Sequence, residues 1–360
     1  SDVLLTERFG DRGNYPSLSL YLQQDLPRKQ MLVVDFSASM YFGRSWSDYI
    51  ERIPGASDFL TDIHTDIRDR NQAYAIEADY IKNWRNSRFT AGASYTANRN
   101  RSDYENLGGQ VFHQRQDKVY LFAEYFHRLG KWTATARGNH TWSPRPQATV
   151  TYSLNQNHNF RLNFTSWQSA PSLSETNIVP QQLDGFQWRV GNQDLKTANS
   201  YMLTFRYGFN VPRVNGSFGI RAFTSPNAIT PLLLWEGERL ITTYENSHGL
   251  QNLSFFLAPQ IEIVPGWLTA SGYVQYRMER MRGTGYSLHS NAWSGNASIR
   301  LMHWGFVLSG QYVRAQRDLW GEKISWGEDI NIIDLSYNWK SWQFAAGIIM
   351  PFGRYDQGSR

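Results

Sequence analysis

The sequence predicts an all-β protein, a transmembrane antiparallel β-barrel, on three observations. The first is period. Leu268, Ala270, Gly272, Val274 and Tyr276 alternate with Thr269, Ser271, Tyr273, Gln275 and Arg277. Successive side chains on a strand point to opposite faces, so this segment carries one apolar wall and one polar wall. The second is length. The alternation persists for about a dozen residues, where strands of globular proteins run about five or six and a tilted membrane-crossing strand needs roughly 9 to 11. The third is the rhythm of connections, short and long in turn, which is the asymmetry of outer-membrane barrels with their short turns on the periplasmic rim.

Taken in order, the apolar faces begin with Leu18, Leu20, Leu22 and with Leu32, Val34, Phe36, Ala38, Met40. They continue with Tyr74, Ile76, Ala78, Tyr80, with Phe89, Ala91, Ala93, Tyr95, and with Val119, Leu121, Ala123, Tyr125. Ala148, Val150, Tyr152, Leu154 and Phe160, Leu162, Phe164 follow, then Tyr201, Leu203, Phe205, Tyr207 and Phe306, Leu308, Gly310, Tyr312. Their partners are mostly Ser, Thr, Asn, Gln, Arg and Asp, and the pattern supports about sixteen strands. Tight turns are expected at 27–29, 85–87, 130–131, 155–158, 212–216, 265–266, 303–305 and 340–341. Longer polar stretches fall at 46–66, 99–114, 170–196, 226–239, 282–287 and 318–328. Trp84, Trp132, Trp267, Trp304, Trp339 and Trp342 sit beside short turns, which places them in one interfacial girdle.

Composition agrees. No run of about 18 apolar residues exists, so helical insertion is excluded. A mean hydropathy of -0.53 does not oppose a barrel, because only alternate residues meet lipid. Aromatic residues make up 15% of the chain, with 14 Trp and 20 Tyr, as two girdles require. The absence of Cys excludes disulfides and thiolate metal sites, and a formal charge of +5 is too small for a dedicated nucleic-acid binder. The first residues carry no basic stretch followed by an apolar one, so any export signal is expected to be removed or to lie outside this chain.

Ala170-Pro171-Ser172-Leu173-Ser174-Glu175, followed by Gly191-Asn192-Gln193-Asp194-Leu195-Lys196, resembles a pair of landmarks in TonB-dependent receptors. There a strand ends in Ala-Pro-Ser/Thr, a long outer loop follows, and Gly-Asn-Pro-Asp-Leu-Lys-Pro-Glu leads into the next strand. Gln193 stands for the first Pro and Thr197-Ala198 for Pro-Glu. The chain is similar to the barrel portion of such receptors, in particular the outer membrane protein β-barrel family common in Bacteroidetes. The resemblance implies about 22 strands in the intact barrel. It also implies a plug domain and TonB contact outside this chain, so residues 1–360 are expected to be a barrel domain incomplete at both ends. The runner-up is a complete sixteen-stranded passive porin, and the third reading is a soluble carbohydrate-binding all-β protein.

Reactive chemistry is not expected. The histidines show no metal-ligand spacing, no His-x-Ser pair or Gly-x-Ser-x-Gly elbow occurs, and Glu322, Glu328 and Asp329 lack calcium-loop spacing. Glu77 and Asp79 share a strand face, where they read as lumen lining rather than an acid/base pair. No catalytic, cofactor or metal residues are assigned. Ligand-contact candidates are Phe186, Trp188, Arg189, Trp235, Trp320 and Trp326, whose planar side-chain groups could stack on a sugar or planar ligand. Implied partners are outer-membrane lipid and lipopolysaccharide, TonB through the plug, a surface lipoprotein and a small solute of unspecified identity. The expected activity is energy-coupled import of a scarce nutrient.

Overall fold

The computed structural model describes residues 3–54, 59–105, 109–140, 145–352 and 358–359. The wall begins with β1 (Leu4–Asn14), β2 (Ser17–Leu26), β3 (Gln30–Arg52), β4 (Phe59–Asn83), β5 (Ser87–Tyr104) and β6 (Gln110–Leu129). It continues with β7 (Trp132–His140), β8 (Gln147–Ser153) and β9 (His158–Ser169). A loop with α1 (Leu173–Thr176), β10 (Gln181–Gln182) and β11 (Gln187–Arg189) leads to β12 (Ala198–Val211) and β13 (Val214–Ser225). The hairpin of β14 (Ile229–Glu236) and β15 (Arg239–Asn246) precedes β16 (Gly249–Val264), β17 (Leu268–Gly283), β18 (Tyr286–His303) and β19 (Phe306–Arg314). Finally, β20 (Arg317–Trp320) and β21 (Lys323–Trp326) stand before β22 (Ile330–Trp339), β23 (Trp342–Ile349) and β24 (Gly358–Ser359).

Seventeen of these strands form one antiparallel meander. β1 and β2 lie end to end along β3, so the sheet is sixteen strands wide. Pro16 separates them because it has no N-H to give the ladder, while its carbonyl still accepts from Met40 N at 3.0 Å. The remaining neighbours follow chain order, with β9 beside β12, β13 beside β16 and β19 beside β22 where hairpins leave the wall. Among the described residues, the outer edges of β1/β2 and of β23 pair with no strand.

The faces are inside out relative to a soluble sandwich. Val274 is 45% exposed while its neighbour Gln275 is 7% exposed, and Leu203, Leu257, Ile299 and Leu308 face outward as Val274 does. Ser217, Ser254, Ser290 and Ser294 are buried on the other face. Apolar side chains outside and hydrogen-bonding side chains inside suit a wall between hydrocarbon and a wet lumen. The six tryptophans beside the short turns are all exposed, as a girdle requires. At the first turn, where three residues link the paired Leu26 and Gln30, Arg28 and Lys29 hold φ of 62° and 60°, both in the left-handed region.

Several of the expected long polar stretches are themselves strand. The β3–β4 ladder runs on to Arg52 opposite Phe59, and β5–β6 to Tyr104 opposite Gln110. At about 3.3 Å per residue these hairpins rise far beyond a hydrocarbon core of about 30 Å. With water on both sides they lose apolar alternation, which is why the sequence reads there as loop. Residues 282–287 likewise close as a tight turn between β17 and β18. Above the apolar band Arg44 Nε donates to Asp66 Oδ1 at 2.8 Å, and Arg68 pairs with Glu105 at 2.8 Å.

Two outcomes are expected. Val274→Arg should cost roughly 2 to 4 kcal/mol in equilibrium refolding of the intact barrel into lipid vesicles, with Gln275→Arg costing far less; equal costs would contradict the assignment of faces. The hydrogen bond from Arg44, aided by the charges of Arg44, Arg68 and His64, holds Asp66 below the usual carboxylate range. Its stabilising contribution is therefore present above the unfolded value near 3.9 and lost as pH falls through the folded value. Amide exchange in the outer part of β3–β4 should accelerate on acidification below about pH 4, and Arg44→Met should remove that dependence.

Candidate functional site: the outer cap and the inner wall

Three connections fold over the outer mouth. Residues 170–197 begin at Ser172, which caps α1: Glu175 N donates to its hydroxyl at 3.4 Å and Ser172 N donates to Glu175 Oε2 at 2.6 Å. The Gly191 segment returns onto this turn, with Gly191 N donating to Asn177 O and Asn192 N to Glu175 O, both at 2.7 Å. A Cβ at Gly191 would lie 2.5 Å from Asn177 N, so only glycine permits the approach. Asn192 Nδ2 then donates to Tyr244 O at 2.9 Å, and Lys196 N to Asn246 Oδ1 at 2.7 Å. The two motifs read from the sequence thus form a single knot that also ties down β15.

From the knot the loop crosses over the intervening strands to β5. Tyr104 at the top of β5 accepts hydrogen bonds from Asn177 Nδ2 and, at 2.9 Å, from Gln181 Nε2. Tyr104, Phe112 and Val179 make a buried cluster with Ile67 and Leu173 against it. Burial raises the Tyr104 phenol above its ordinary value, so it stays neutral and able to accept. Farther along, a Cβ on Gly185 would lie 3.1 Å from Thr61 Oγ1 on β4, which puts the loop tip against the β3–β4 hairpin.

The second connection joins the first. β11 pairs in parallel with β15, giving a four-stranded cap sheet in the order β10-β11-β15-β14. The third, β20–β21, lies over the inner faces of β17 and β18, where Leu319 meets Met281, Leu250 and Ala228 in a second buried cluster. Arg277 clamps it by pairing with Asp318 at 2.9 Å and Glu279 at 3.2 Å. Gly321, at φ of 61°, approaches Pro231 of β14, so the third connection touches the second.

Four of the six ligand-contact candidates come together in the cap sheet. Trp188 and Arg189 stand on β11, Trp235 on β14, and Phe186 precedes β11 with its N donating to Asp184 Oδ1 at 2.9 Å. Phe186 and Trp235 are exposed, while Trp188 is half-buried with the Arg239 guanidinium 5.1 Å from its ring centre. Trp320 and Trp326 lie apart in the small β20-β21-β24 sheet. The sequence reading missed Tyr104, Asn177 and Gln181, because a loop-to-wall contact leaves no local pattern.

A second site lies below the cap. On the inner wall Arg161, Arg206 and Arg221 line a cavity of about 430 Å³ with Asn163, Thr204, Ser217 and Tyr273, and Phe256 forms an apolar side. Arg206 is directly opposite Arg161 in the β9–β12 ladder, and Thr204 is opposite Arg221 in β12–β13. Arg161 and Arg206 were legible as polar-face residues, Arg221 was not, and the convergence of the three depends on strand register.

The sheet, its outward apolar belt and its loop-covered mouth define an outer-membrane β-barrel protein. The sequence pattern of the outer membrane protein beta-barrel family matches residues 123–343, and the chain belongs to that family. No curated protein matches it. Among solved structures it resembles the copper transporter OprC, with a TM-score of 0.66, 9% identity, and coverage of 91% of this chain and 60% of that one. The siderophore receptor PirA from Pseudomonas aeruginosa gives 0.62 at 12% identity over 94% and 68% of the two chains. The FrpB iron transporter from Neisseria meningitidis gives 0.59 at 9% over 98% and 69%. At such identities the likeness is one of fold, and the chain spans only 60% of the length of the first of these.

Tyr104→Phe should leave the buried Asn177 amide and the half-buried Gln181 amide without their acceptor, at a cost of about 1 to 3 kcal/mol for the buried donor if it finds no substitute and less for the other. Proteolysis or amide exchange within 170–197 should accelerate while wall strands stay protected. Unchanged protection of the loop would show that the latch does not hold it.

Proposed function

We propose that the chain forms the wall and outer vestibule of a TonB-dependent receptor that imports a scarce solute by energy-coupled uptake. The observation that carries this reading is the unclosed sheet. Sixteen strand widths end in two edges whose outer N-H and C=O groups lack strand partners among the described residues, and hydrocarbon supplies none. A passive porin of sixteen strands would close edge to edge. Further strands at both edges would instead complete a wider barrel able to hold a plug, and the fold likeness to larger receptor and transporter barrels supports that arrangement.

In this reading the cap captures solute, with Phe186 and Trp235 offering exposed rings at its surface. Energy transmitted from the inner membrane then moves the plug, and the inner wall supplies polar footing for whatever passes. Above the apolar band Arg44, Arg68, Arg70, Arg99 and Arg115 lie on neighbouring strands, interleaved with carboxylates, which suits contact with lipopolysaccharide phosphates.

The test is uptake by cells carrying the intact gene, with and without TonB, on a panel of limiting nutrients and with surface abundance matched. Growth on one nutrient should depend on both the gene and TonB, and Trp235→Ala should weaken capture without lowering abundance. Uptake at normal rates without TonB would sink the energy-coupled reading in favour of a passive channel.

A further inference from the structure

The inner wall is charged unevenly. Strands β7, β8, β9, β12 and β13 contain no Asp or Glu at all, yet carry Arg137, Arg161, Arg206 and Arg221. Alternation places all four on the face shared with the buried Ser217, which is the lumen side. On the lumen side of β3 and β4, by contrast, stand Asp35, Glu77 and Asp79. Arg137 is close enough for its charge to act on Glu77 and Asp79, and it lies over the Phe122 ring at 4.0 Å. The other three remain together in the cavity, and among the described residues none of them forms an ion pair.

Such an arrangement is costly by itself. Like charges directly opposite on neighbouring strands repel, as Arg161 and Arg206 do. Arg221 has its Nε buried with no hydrogen-bond partner, and its guanidinium sits 5.8 Å from the Phe256 ring centre, which further shields it from water. Elsewhere on the same wall the requirement is met from within, since Arg277 has both Glu279 and Asp318. The guanidinium fork matches carboxylate and phosphate geometry, so one oxyanion would relieve the repulsion and satisfy the stranded donor together.

We propose that Arg161, Arg206 and Arg221 form an oxyanion-binding site on the lumen wall, receiving a carboxylate or phosphate group with Asn163 and Thr204 beside it. The oxyanion comes either from a solute in transit or from an acidic side chain of the polypeptide that fills the lumen. Only the second source rests on the proposed plug; the site itself does not depend on energy coupling.

The experiment uses the intact outer-membrane protein in detergent, with no energy source, so its result is independent of the uptake test. Pyrophosphate and citrate are titrated calorimetrically at fixed ionic strength, and thermal unfolding is followed in parallel. The variants are R206Q, R206K, and R300Q as a control on β18 outside the cavity. For a solute site, wild type binds at least one probe, R206Q weakens it about tenfold or more, R206K less, and R300Q leaves it unchanged. For an internal carboxylate, the probes give no heat, but R206Q lowers the unfolding temperature, R206K restores it and R300Q does not lower it. Probe binding that R206Q leaves intact, or no binding together with equal unfolding temperatures for wild type and R206Q, overturns the proposal.

Discussion

Every feature of this chain depends on one constraint: inside hydrocarbon a backbone N-H or C=O has no water to turn to, so each must find its partner in the protein. A continuous antiparallel ladder is the solution here. It explains why strands follow chain order and why Pro16 falls between two collinear strands, while within β16 the pairing with β17 lapses only at Ala258-Pro259, where proline has no N-H to give, and shifts register once near Glu262. It also sets the burden on any strand edge, since an unpaired edge in lipid is far more costly than one in water.

Once the ladder is fixed, side chains divide by solvent. Those facing lipid need no polar partner and those facing the lumen do, which is why serine and glutamine are buried while leucine and valine are exposed. Among the described residues the buried apolar clusters are consequently two small ones under the cap, around Met281 and around Tyr104. Their position shows where stabilisation by apolar packing is concentrated: at the junction of loops and wall, not in the wall itself.

The wall was legible because its signal is local. A period of two in Leu268 to Tyr276, or a tryptophan beside a short turn, needs no knowledge of distant residues. The hairpins above the membrane were read as loop because water on both faces erases the alternation by which a strand is recognised, although the β3–β4 pairing continues in one register from Gln30 to Glu51. The cap was legible only in part. The Ser172 and Gly191 motifs could be found in order along the chain, but not that they knot together, nor that Tyr104, lying 73 residues before Asn177, receives that loop. The arginine cavity was hidden for the same reason, since register decides that Arg161 meets Arg206.

The parallel pairing of β11 with β15 has a consequence for how the mouth opens. It joins two connections that are separate in sequence, and the knot at Asn192 fastens the same pair a second time. Neither can swing away while the other stays. The cap therefore has the thermodynamics of a single cooperative unit, in which a contact made at Trp235 and the hold of Tyr104 on Asn177 are coupled through one shared opening equilibrium.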